Sequence, residues 1–393
     1  MATIERYSLA SGATRYPVRF RTPDRLQTKK RGFSTKRDAQ AFAASVEVAK
    51  ARGEYVAPAA GLTTVNELYQ AWSATRTRVK ATTHAKAESA WSAHVEKRWA
   101  STPVADISPA AVRRWTADLT AAGAGAADVE NALGLLRAVL EQAVEDRRIV
   151  RNPSDGVKAP RRRHSPRGYL THDQVDRLAV EMTRDRGTGD DGPTGVHPSY
   201  GTVTLLLAYT GLRLGEMAAL TLGDIDLVRR RILITKAYAE VRGQLVLDSA
   251  KNHERRSVPF PAFLVHALTE MTLGKLRSDP VFTGPNGAVL RVNNFRPRYF
   301  AAAVRRRQSS DLRFPTVTPH DLRHTAASLA ISVGANVKSV QTMLGHKSAA
   351  MTLDVYADLF PDDLDAVAVA LDHAHSSASV PKMCPRAAEE PAP

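Results

Sequence analysis

The chain has 393 residues, 43% of them hydrophobic, which is enough for a real core but too long for a single one, so two or three domains are expected. Its 55 Lys and Arg against 40 Asp and Glu leave a net charge of +15; such a surplus points to a polyanionic partner, nucleic acid or an anionic membrane surface. No apolar run of about 18 residues could span a bilayer, the polar start Met1 to Arg6 lacks a signal-peptide core, and the single cysteine, Cys384, excludes a disulfide framework or a multi-cysteine metal site.

Residues 1–58 open with alternating stretches around Tyr16-Pro-Val-Arg-Phe-Arg and Lys29-Lys-Arg-Gly-Phe, then show a helical pattern from Lys36 to Arg52. They predict a small β-sheet with one packed helix. Twelve basic against five acidic residues make this module a candidate DNA reader through Lys29, Lys30 and Arg31, although a solvated basic surface explains the charge as well. After Pro58-Ala-Ala-Gly61, Thr64-Val-Asn-Glu67 has the form of a capping box, and Val65, Leu68, Tyr69 and Trp72 supply a helical stripe. Ser108-Pro109 marks another helix start before Val112, Trp115 and Leu119, and a longer stripe runs from Val129 through Leu133, Leu136, Val139 and Leu140 to Val144. Residues 62–157 therefore read as all-helical, with Trp72, Trp91, Trp99 and Trp115 as core.

Residues 158–167 contain Pro160-Arg161-Arg162-Arg163-His-Ser-Pro-Arg167, which disfavours helix and strand and attracts phosphate; it reads as an interdomain linker along DNA. Thr171-His-Asp-Gln174 is a second capping box, ahead of a stripe of Val175, Leu178 and Met182. A polar insertion at Asp185 to Pro198 precedes the apolar helix Val203 to Tyr209; Arg231-Ile-Leu-Ile-Thr and Gln244-Leu-Val-Leu read as strands, and 317–373 as mostly helical.

Four segments carry reactive residue types. In Thr210-Gly-Leu-Arg213-Leu-Gly-Glu216, glycines flank an arginine whose planar, permanently charged fork suits two phosphate oxygens. The segment from Ser249 to Phe260 reads as a hairpin loop projecting Lys251, an ammonium able to protonate a leaving oxygen. Thr318-Pro-His320-Asp-Leu-Arg323-His324 predicts a helix start with His320 and Arg323 in its first turn, three residues apart on one face. Gly345-His346 ends a helix, and Tyr356 lies ten residues on, in a second short helix. Each alone has a plain structural explanation: a turn arginine, a solubilising lysine, a packed tyrosine. His-Asp-Leu-Arg-His also imitates a zincin pattern, but Asp321 is one methylene short of the required base, Arg323 puts a cation beside the metal, and no third ligand is signposted.

Taken in order, Arg213, Lys251, His320-x-x-Arg323, Gly345-His346 and Tyr356 resemble the tyrosine recombinase family, which includes phage integrases. The resemblance implies a mainly α, multi-domain fold with small β-sheets. Residues 1–58 would be an arm-type DNA-binding module, 62–157 a helical, SAM-like core-binding domain, 168–372 a mixed α+β catalytic domain, and 373–393 a disordered tail. It implies that Tyr356 attacks the scissile phosphate to leave a 3′-phosphotyrosyl link and a free 5′-hydroxyl, while Arg213 and Arg323 neutralise the nonbridging oxygens. Lys251 would protonate the departing oxygen, His320 assist at the tyrosine and His346 hydrogen-bond the phosphate, with no cofactor or metal required; Glu216 would orient Arg213. The partners implied are double-stranded attachment sites and three further copies of the chain in a tetramer around a Holliday junction, with an excisionase or a DNA-bending host protein as accessory factors. The setting implied is the bacterial cytoplasm, at the nucleoid, and the task that of a site-specific integrase of a prophage or integrative element. The rivals are a topoisomerase sharing the catalytic set, which the helical module disfavours, and a DNA-binding regulator that has lost its chemistry. The stripe Leu364, Val367, Ala368 and Leu371 suits docking on a neighbouring protomer or packing on its own domain equally.

Overall fold

Strand alternation and one amphipathic helix build the N-terminal part. In the computed structural model, which describes residues 2–23, 25–57, 59–162, 168–184, 199–249, 255–356 and 364–378, the strands are β1 (Thr3–Ile4), β2 (Tyr7–Ser8), β3 (Thr14–Arg21) and β4 (Gln27–Phe33). Central β3 pairs antiparallel with the other three. Its register with β4 shifts between Tyr16 and Val18, at Pro17, which has no N–H to give the ladder. Val18 and Phe20 of β3 are buried with Ala39 and Val46 of helix α1 (Lys36–Ala51), whose N-cap Thr35 accepts from the Asp38 N–H.

The helical part follows as α2 (Val65–Thr75), α3 (Ala81–Ala90), which runs through a π-helical turn into α4 (Glu96–Trp99), then α5 (Pro109–Ala121) and α6 (Ala126–Glu145). The expected capping box is present: Glu67 N–H donates to Thr64 Oγ1 at 3.3 Å and Thr64 N–H to Glu67 Oε2 at 2.8 Å. Leu136, Val139 and Leu140 of α6 are fully buried with Leu68, Trp99 and Trp115; each such side chain contributes roughly 1.5–3 kcal/mol relative to exposure. Trp91 joins this core stacked on Tyr69, whereas Trp72 is half-buried beneath the Arg76 guanidinium.

The chain separates into two compact units at Ser165 and Pro166. The second contains α7 (His172–Thr183), α8 (Ser199–Thr210), α9 (Leu214–Ala218), β5 (Ile225–Asp226), β6 (Arg231–Ile234), β7 (Lys236–Val241), β8 (Gln244–Ser249), β9 (Arg256–Pro259), α10 (Leu264–Thr272), α11 (Val292–Asn294), α12 (Ala301–Ser310), α13 (Asp321–Ser332), α14 (Val337–Leu344), α15 (Ala349–Tyr356) and α16 (Leu364–Ala378). Apolar on every side, α8 is the central helix, packed against α7, α10 and α13. The mainly α fold with small antiparallel sheets agrees with the expectation.

Two expectations need correction. The strands on either side of the expected hairpin loop, whose residues 250–254 lie outside the described residues, do not pair with each other: β8 pairs with β7, and β9 pairs with β6 in a separate sheet. The cause is the turn Arg242-Gly243, both at positive φ, the tight two-residue geometry that folds β8 back on β7. Helix α16 also runs past His373 to Ala378, into the stretch assigned to a disordered tail, with Ala368, Val369 and Leu371 exposed. The 185–198 insertion lies outside the described residues. No helix among the described residues is long and apolar enough to cross a membrane.

Candidate active site

The core helix α8 ends in Thr210-Gly211, and Gly211, at φ 65°, turns the chain so that Arg213 becomes the N-cap of α9. That φ strains any L side chain, and a Cβ on Gly211 would also stand 2.5 Å from Leu344 Cδ2 of α14, which would have to shift. Glu216, in the first turn of α9, is 1% exposed and accepts from the Arg213 backbone N–H at 3.0 Å and from Arg213 Nη1 at 2.7 Å. Arg256 at the start of β9 reaches the same carboxylate with Nη1 at 3.0 Å and Nη2 at 2.6 Å. Burial pushes the Glu216 carboxyl up, but the bonds and charge of Arg256, then Arg213, outweigh it and hold it below the usual carboxylate range.

Arg323, on the first turn of α13, is buried and spans two backbone elements, donating to the Gly211 carbonyl at 2.6 Å and to the Leu344 carbonyl. Burial first, then the neighbouring positive charge of Arg213, draws its pKa down to about 10, so it stays charged at neutral pH. Gly345 at φ 64° ends α14; its N–H and that of His346 return to carbonyls of the last turn, and Gln341 Nε2 holds the His346 carbonyl at 3.1 Å. His346 Nδ1 lies 3.0 Å from Thr352 Oγ1 of α15. Burial, then the charges of Arg323 and Arg213, push His346 down to about 4, leaving it neutral at pH 7.

Tyr356 closes α15 and is 1% exposed among Ala327 and Ile331 of α13 and Val340 and Leu344 of α14. Its hydroxyl lies 2.7 Å from Nδ1 of His324. Four expected residues, Arg213, Arg323, His346 and Tyr356, thus stand on one interlocked set of elements. His320 is exposed and, with helical backbone angles, stands as the N-cap of α13 one residue ahead of its first turn, while the Asp321 carboxylate accepts from Thr318 N–H and Oγ1, both at 2.7 Å. Its ring packs edge-on against that of His324, 5.3 Å away. Lys251 lies outside the described residues. Among the described residues, no group of three or more His, Cys, Asp or Glu side chains could hold a metal ion.

The outlying basic residues divide. Lys29 pairs with Arg19 on the face of the sheet away from α1, which alternation also gives to Arg21, and Arg31 is exposed at the point where the register shifts. Lys30 pairs with buried Val18 instead and lays its ammonium 4.5 Å from the Phe42 ring of α1, so the three consecutive cations do not form one surface. Arg161 is exposed, Arg162 donates to Glu130 at 2.7 Å and so has an intramolecular partner, and Arg163 lies outside the described residues.

Sequence reasoning missed Arg256 and His324. Alternation in β9 places Arg256 on the inward face with Val258, and an arginine on a core face needs a buried acid, which was a usable signal. His324 had none, since its partner is 32 residues away.

Residues 168–362 match the profile of the phage integrase family. The chain is 27% identical over 340 residues to the integrase of Mycobacterium phage D29, covering 82% of this chain and 84% of that protein. Among solved structures it is similar to the Tn1549 transposon integrase in complex with a circular intermediate DNA, with a TM-score of 0.66 at 21% identity, covering 79% of this chain and 99% of the other. It is also similar to a lambda integrase tetramer bound to a Holliday junction, with a TM-score of 0.55 at 18% identity, covering 91% and 95%.

Proposed function

The chain belongs to the phage integrase family of tyrosine-type site-specific recombinases, and on that premise we propose that it integrates or excises a mobile element by cutting and rejoining DNA through Tyr356. The observation that carries this reading is the convergence of Arg213, Arg323 and His346 beside the Tyr356 helix. Attack by the Tyr356 phenol oxygen forms a P–O bond and breaks the bond to the 5′ oxygen; the phenol loses its proton and the departing oxygen gains one. The product is a 3′-phosphotyrosyl link that keeps the phosphodiester's energy for rejoining.

A phenol of ordinary pKa about 10 needs cationic neighbours to act as phenolate near pH 7, and Arg213 and Arg323 supply them while countering charge on the nonbridging oxygens. Neutral His346 donates a hydrogen bond to the phosphate, His320 assists proton transfer at the tyrosine, and Lys251 protonates the leaving oxygen. No divalent metal takes part in this scheme. Before attack the Tyr356 hydroxyl must leave His324.

Residues 1–58 act as an arm-type reader through the outward face of the sheet, 62–157 as a core-binding domain, 158–167 as a basic linker along DNA, and 168–372 as the catalytic domain. Four copies work across two duplexes through a Holliday junction in the bacterial cytoplasm, with an excisionase or DNA-bending protein as accessory factors.

The test incubates wild type and Tyr356→Phe, in EDTA, with supercoiled DNA carrying a junction of the encoding element. Wild type is expected to yield a 3′-linked protein–DNA adduct and the variant none. Binding by both without an adduct from either would overturn the reading in favour of a regulator.

A further inference from the structure

We propose that Arg256 is a positioning residue for strand cleavage, holding Arg213 and the Gly345-His346 turn in place through the carboxylate it shares with Arg213; this rests on the reaction proposed above. Glu216 is the hub. Each of its oxygens accepts one bond from Arg256 and one from Arg213, the latter through Nη1 on one oxygen and the backbone N–H on the other. The planar fork of Arg256 therefore fixes the carboxylate plane, and the carboxylate fixes Arg213 at both ends.

Charge gives the second reason. A carboxylate paired with Arg213 alone would form a neutral unit, leaving Arg323 to supply the field at a phosphate. A second guanidinium on the same buried carboxylate leaves the cluster with one net positive charge, while Arg213, the more exposed of the two arginines, remains able to meet an anion. Arg256 also donates from Nε to the Met343 carbonyl at 3.4 Å, and a Cβ on Gly345 would lie 3.0 Å from its Cδ, so the turn that presents His346 lies directly against this side chain. One residue of β9 thus links Arg213 to His346.

A purely structural ion pair tying β9 to α9 would share these contacts, so the test reads charge at the phosphate. Duplexes are built on the wild-type cleavage position, mapped from its covalent adduct, with either the normal phosphate or a neutral methylphosphonate there. Cleavage of both is measured for wild type, Arg256→Met, Arg256→Lys and Arg213→Met. The methylphosphonate-to-phosphate ratio is taken within one preparation, so an inactive fraction cancels.

Arg256→Met is expected to lose about 100-fold on phosphate and far less on methylphosphonate, raising the ratio about 10-fold or more, in the direction of Arg213→Met. Arg256→Lys, which keeps the charge but not the fork, should fall between. A ratio equal to wild type, with both rates falling together, would make Arg256 structural only and overturn the inference. A wild type that binds the DNA and cleaves neither duplex would instead sink the proposed function, and the inference with it.

Discussion

His346 and Glu216 show how burial decides what a side chain can do. The folded state holds His346 at about 4, whereas an unfolded histidine takes up its proton near 6.5. Between those values the unfolded chain binds more protons, so stability falls as pH drops from about 6.5 towards 4. His346→Gln should flatten this slope: from pH 7 to pH 5 the denaturant midpoint of wild type should fall further than that of the variant, and equal losses would refute the assignment. For Glu216 the charge is kept, because two guanidiniums repay its desolvation. Replacing it with Ala leaves two arginines against each other in a nearly dry site. About 3–5 kcal/mol of destabilisation is expected in chemical denaturation, the scale for removing one side of a buried ion pair.

At the level of elements, the site depends on close approaches of backbone that a side chain would obstruct. Gly215 is the sharper case: a Cβ there would stand 2.3 Å from the Tyr238 carbonyl of β7, so Gly215→Ala must push α9 and the β7–β8 sheet apart. We expect a loss of roughly 1–3 kcal/mol, and a fall in adduct formation with little change in DNA affinity, because Arg213 rides on α9. In the N-terminal sheet, alternation separates neighbouring cations. Lys29→Ala and Arg31→Ala should each reduce the slope of log affinity against log salt by about one, as loss of a phosphate contact does. Lys30→Ala should leave that slope nearly unchanged and instead lower the melting temperature of the module, since its ammonium sits over Phe42. Equal salt effects for all three would contradict this division.

Across the whole molecule, every placed member of the candidate site belongs to the unit from Pro166 onward, while both helical and sheet modules ahead of it belong to the other. Chemistry and much of the DNA grip should therefore separate. A fragment starting at Pro166 is expected to form the Tyr356 adduct at high protein concentration but to bind site DNA at least about 10-fold more weakly, with a shallower salt dependence, because it lacks phosphate contacts of the preceding modules. A fragment as tight and as salt-sensitive as the full chain would refute this.

By itself the sequence determined what depends on local periodicity and on residue order. The capping boxes at Thr64 and Thr171, the stripe of α6, the αL glycine before His346 and the order Arg213, Arg323, His346, Tyr356 were all legible, since each is set within a turn or two of backbone or by residue type alone. Tertiary structure decided what depends on partners distant in the chain. Arg256 meets Glu216 across 40 residues, His324 meets Tyr356 across 32, and β9 leaves its sequence neighbour β8 to pair with β6. Charge pairing and strand choice are settled by which groups share the low-dielectric interior, and spacing along a chain does not encode that.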